Sequence, residues 1–99
     1  MPKLDMVVIE NINTPGRKSN VNAEKYGTMR KVLLKILPNT MPGLTQAEMC
    51  QAVLPFLPDS LWPNGEKSTW WVKTVQLDLE AKGLVIRNTK VKPLRWYKV

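Results

Sequence analysis

Residues 68–99, STWWVKTVQLDLEAKGLVIRNTKVKPLRWYKV, constrain this chain more than any other stretch. Apolar residues recur at helical spacing as far as Lys82. Gly83 then supplies the residue type that closes a helix in the left-handed conformation. Two short apolar-aromatic runs follow, residues 84–88 and 94–98, on either side of a basic turn. Two such runs around a polar turn read as a β-hairpin. The chain therefore ends as a helix, a glycine stop and a hairpin with a positive tip. From Leu84 onward it carries Arg87, Lys90, Lys92, Arg95 and Lys98 and no acid, which suits an anionic partner.

The 99 residues are enough for one domain with a small core, and the 43% apolar content is that of a folded protein. Fifteen Lys and Arg against eight Asp and Glu give a net charge of +7. That charge speaks to solubility and steering rather than to fold. With no histidine, a His-based triad and His-containing zinc sites are excluded. Cys50 is the one cysteine, so no disulfide forms within the chain, and its apolar neighbours predict a buried, inert thiol. No segment approaches the ~20 apolar residues of a membrane span, and the N-terminus has no signal-peptide pattern. The expected compartment is the cytoplasm, with no membrane partner.

Along the chain, residues 1–21 form an arm that packs on the domain or on a partner. It holds a short strand at residues 6–9 and then turn formers. Asn22 caps a first helix over residues 23–37, with Tyr26, Met29, Leu33, Ile36 and Leu37 on one face. Gly27 weakens that helix by about 1 kcal/mol relative to Ala. Leu44 marks a short strand. Thr45 and Glu48 then make a capping box, in which two orphan backbone donors are satisfied reciprocally. Met49, Cys50, Val53 and Leu54 line the second helix, which Pro55 ends. Phe56, Leu57, Leu61 and Trp62 tuck into the edge of the core from the next loop. Ser68 caps a third helix running to Lys82. The order helix, strand, helix, helix, hairpin predicts an α+β fold, mostly α, over residues 22–99. Its leading form is a winged helix, a three-helix bundle with a C-terminal β-hairpin wing. A plain helical bundle with a β-appendage is the alternative.

The segment LDLEAKGLV at residues 77–85 resembles the end of the recognition helix in many winged-helix regulators. Together with GLTQAE at 43–48, WWVKTVQLDLEAKG at 70–83 and PLRW at 93–96, it is similar to a family of small, single-domain winged-helix-like proteins of unknown function. The resemblance implies the fold and no activity. DNA binding would follow only by analogy with the fold.

Two surfaces stand out. Lys90 and Lys92 lie at the hairpin tip, with Arg87 and Arg95 on its strands. Such a tip can lie along a phosphate backbone or enter a minor groove. Tip lysines also discourage edge-to-edge aggregation, so the basic tip has a purely structural reading as well. The first turn of the third helix would enter a major groove, with Lys67, Ser68, Thr69, Lys73 and Thr74 as contacts. That helix is apolar on two faces, however. Val72, Val75 and Leu79 share one; Trp70, Leu77 and Ala81 share the other. A helix apolar on both sides is covered on both sides, by the arm or by a second chain. Asp78 and Glu80 would also bring acid toward phosphates. The tryptophans read as packing residues, with Trp62, in its loop, the most available for stacking on bases. The acids are too scattered for acid-base catalysis, so the chain is not expected to be an enzyme, and no cofactor or metal is implied. The sequence thus points to a nucleic-acid-binding protein, DNA first. A protein-interaction or dimerisation module using Trp70, Leu77 and Ala81 is the alternative.

Overall fold

A computed structural model describes residues 6–11, 13, 16 and 18–99. Among these residues the chain forms three α-helices and two small β-sheets, an α+β fold. Strand β1 (Met6–Glu10) pairs antiparallel with β2 (Lys18–Asn22), from Met6 opposite Asn22 to Glu10 opposite Lys18. The turn-forming residue types that run to Asn20 predict no strand at residues 18–20. The second strand exists because β1 supplies its ladder partners. Alternation along β1 turns Val7 and Ile9 to the core and leaves Met6 and Val8 exposed, as a half-buried strand requires.

Asn22 ends β2 and caps α1 (Ala23–Ile36), its side chain accepting from the Lys25 N–H at 2.9 Å. Tyr26, Met29, Leu33 and Leu37 are buried as the periodicity predicts. Val32 joins them and Ile36 is only half-buried. Strand β3 (Leu44–Thr45) leads into α2 (Gln46–Val53), where both bonds of the Thr45–Glu48 capping box form. Leu54 leaves the buried stripe because the chain tightens there into a 3-10 turn, Leu54–Phe56, with Pro55 in its first turn. Leu54 and Phe56 are consequently exposed, and Cys50 is half-buried rather than enclosed.

Helix α3 (Ser68–Ala81) packs across α1, and its Val72, Val75 and Leu79 are fully buried. It ends in a Schellman motif. Gly83, at φ +76°, donates to the Glu80 carbonyl, and Leu84 N–H donates to the Leu79 carbonyl at 2.9 Å. The chain then forms β4 (Val85–Asn88) and β5 (Arg95–Lys98), an antiparallel hairpin. β5 is the centre of a three-stranded sheet, because β3 pairs with its other edge through Leu44 opposite Trp96. Gly43 allows this close approach. A Cβ there would sit 2.3 Å from the Trp96 carbonyl oxygen. Ile9 and Val21 of the N-terminal hairpin share one buried cluster with all three helices, Val85 and Trp96.

Candidate functional site

The C-terminal hairpin divides its cations into two groups. Arg87 extends its guanidinium to Glu80, with Nε–Oε1 at 2.9 Å and Nη2–Oε2 at 3.2 Å, and lies over the Trp96 ring. This two-bond fork is the strong form of the ion pair. Arg95 donates to the Gly43 carbonyl at 2.9 Å and to Glu48 at 3.2 Å. Lys98 donates to the Leu34 carbonyl at 2.6 Å. Those three side chains hold the sheet to the helices. Lys90 and Lys92 sit at the exposed tip, and among the described residues neither forms an ion pair. Buried Asn88 anchors the tip, accepting from Lys90 N–H and donating to the Pro42 carbonyl. Arg87 and Arg95, expected as nucleic-acid contacts, are therefore engaged within the chain. Glu80 and Glu48 lie within reach only once the chain folds.

The start of α3 sorts its residues in the same way. Lys67, not Ser68, is the N-cap, held left-handed at φ 64° with no side-chain cap bond. Ser68 is the first helical residue; it is buried, and its hydroxyl donates to the Gly65 carbonyl at 2.7 Å. This corrects both its expected capping role and its place among exposed contacts. Lys67, Thr69 and Lys73 are exposed, and Thr74 is half-exposed.

The second apolar face of α3 is split. Leu77 is 7% exposed, Ala81 is half-buried, and Trp70 is 55% exposed. Strand β1 runs along this helix, tied to it by the Glu10 N–H, which donates to Asp78 Oδ1 at 2.9 Å. Leu4, the other expected cover, lies outside the described residues. Asp78 is fully buried and also accepts from the Tyr26 hydroxyl and from Lys82 Nζ. Burial, and next the bond to Asp78, push the Tyr26 phenol up to about 12. The two acids expected to repel phosphate are thus neutralised internally, Asp78 in this network and Glu80 by Arg87.

Trp71 and Trp96 are buried as expected, while Trp62 and Trp70 exchange places. Trp62, expected to be the most available, is 2% exposed and packs edge-to-face on Trp71, with centroids 6.1 Å apart. Its loop folds back through Trp62 N–H donating to the Pro58 carbonyl. Trp71 in turn packs against Trp70 at 5.2 Å and 82°. The three indoles form a row from the core to the surface, and Trp70 is its open end. Trp70, expected to be covered by the arm or a second chain, is instead open to solvent in the single chain, and its place about 170° from the Val72–Val75–Leu79 face at 100° per residue does not distinguish the two outcomes. No helix of the described residues is long and apolar enough to cross a membrane.

A model of the family described as "Family of unknown function (DUF6958)" matches residues 6–96, and the chain belongs to that family. No curated protein and no solved structure matches.

Proposed function

We propose that this member of a family of unknown function is a winged-helix protein that binds nucleic acid. It does so through the lysines of the wing tip, Lys90 and Lys92, and the start of α3, with the N-cap Lys67 and then Thr69 and Lys73. The element order α1, β3, α2, α3, β4, β5 and the sheet order β3-β5-β4 support the winged-helix reading. The observation that carries the binding reading is the sorting of cations. The acids of α3 are matched by cations within the chain, while Lys90, Lys92, Lys67 and Lys73 remain exposed on a protein of charge +7. Unmatched exposed lysines on a rigid hairpin and a helix start are what phosphate contact uses. The competing reading, a protein-interaction face of Trp70, Leu77 and Ala81, has less to work with, because Leu77 is already buried within the single chain.

Each phosphate neutralised contributes about 0.9 to the slope of log affinity against log salt. Replacing Lys90 and Lys92 with Gln should therefore flatten that slope by about 1.8. Arg87→Gln and Arg95→Gln should lower the melting temperature and leave the slope unchanged. Fluorescence anisotropy of labelled DNA and RNA at low salt reads all of these. Absence of binding by the parent protein at about 50 μM would end the proposal, because non-specific affinities reach roughly the micromolar range.

A further inference from the structure

Resting on the nucleic-acid reading above, we propose that Trp70 is a stacking platform for an unpaired base, so that the strand this protein holds is single-stranded. Three observations converge on Trp70. Its indole is 55% exposed at the surface of an otherwise packed helix. Lys73 stands one turn after it on the same side of the helix, Lys67 is the left-handed N-cap three residues before it, and both are exposed. The ring is also held in place by the row Trp70–Trp71–Trp62, which ends in the core. An aromatic face between two cations is the element single-strand binders use: the base stacks and the lysines take the flanking phosphates. A ring already packed against a neighbour on one side loses less freedom when a base arrives than a free one does.

The same helix is poorly built to read a duplex. Groove recognition needs several polar side chains projecting along the helix. Here Gln76 and Asp78 are buried and Glu80 is paired with Arg87, which leaves Thr69, Lys73 and half-exposed Thr74. An indole in the middle of that short face offers one donor and a large apolar surface, which suits an unstacked base better than a groove floor.

The test compares a labelled oligothymidylate with a duplex of equal length, at one low salt concentration. Parent protein, Trp70→Ala and Trp70→Tyr are measured on both. Trp70→Ala should weaken single-strand binding about 5- to 150-fold, leave duplex binding within about twofold, and keep the salt slope. Trp70→Tyr should recover most of the loss. Trp62, Trp71 and Trp96 are buried, so base stacking should quench the emission of Trp70 in particular. Melting curves check that the variants are folded. If the parent binds duplex and not the single strand, the stacking inference is overturned while nucleic-acid binding stands. Equal losses on both ligands overturn it too. If the parent binds neither, both readings fall. A Trp70→Ala variant that changes the mass in solution and no affinity makes this surface a protein interface instead.

Discussion

Asp78→Ala should be among the most damaging single substitutions in this protein. The carboxylate is fully buried, and it joins three elements: the Tyr26 hydroxyl of α1, the Glu10 N–H at the end of β1, and Lys82 at the end of α3. Hydrogen bonds to a charged group are worth about 1.5–3 kcal/mol each. Two of the three donors, Tyr26 and the Glu10 amide, would be left without their partner. Lys82 is 36% exposed in its side chain and regains water, so its share is small, about 0.5 kcal/mol as an i, i+4 pair. The expected loss is then about 3.5–6.5 kcal/mol, against a total of roughly 5–15 for a domain of this kind. At about 4–8 °C per kcal/mol, the melting temperature should fall by at least ~14 °C. Urea denaturation followed by tryptophan emission and by circular dichroism measures the loss. A double-mutant cycle with Tyr26→Phe should show a coupling above about 0.5 kcal/mol, since the two groups share one bond. A loss under ~1 kcal/mol would mean that water already reaches the carboxylate and that β1 does not depend on it.

Two glycines should respond in opposite directions. Gly43→Ala forces a Cβ onto the Trp96 backbone at φ +90° and should cost at least ~2 kcal/mol by parting β3 from β5. Gly27→Ala, with no neighbour within 4 Å of the new Cβ, should stabilise α1 by about 1 kcal/mol; thermal melts that rank them the other way refute the glycine assignments. Tyr26 makes stability fall in alkali. Its phenol moves from 10.0 to about 12 on folding, so its contribution is complete below pH ~10 and is lost as pH rises through about 12. The melting-temperature gap between the parent and Tyr26→Phe should narrow over that window, and a constant gap would refute the coupling to burial.

What could be read from the chain alone lies within a few residues of the signal. Asn22 caps the amide three residues on, Thr45 and Glu48 answer each other across one turn, and Gly83 closes α3 where its missing Cβ permits a left-handed residue. Short-range sterics and local hydrogen bonds decide such features, so any chain with these residues would show them. The tip lysines belong to the same class, because a hairpin turn puts its central residues in solvent. The rest depends on partners far away in sequence. Residues 18–20 carry turn chemistry and became a strand only because β1 lies beside them. Arg95 meets Gly43 across 52 positions, and the Glu10 amide meets Asp78 across 68. A charge on a helix wheel looks the same whether it faces water or a carboxylate, so neutralisation of Arg87 by Glu80 and burial of Asp78 had no local mark. Trp62 and Trp70 show the same division. Both are indoles near the start of α3, and only the packing of the loop against Trp71 decides that the first is enclosed and the second is open. The sequence by itself determined the helix ends, the terminal hairpin and its positive tip, through local backbone chemistry. Tertiary structure alone decided which of the remaining charges are paired or buried and which aromatic ring faces solvent, because burial and pairing are properties of the assembled elements.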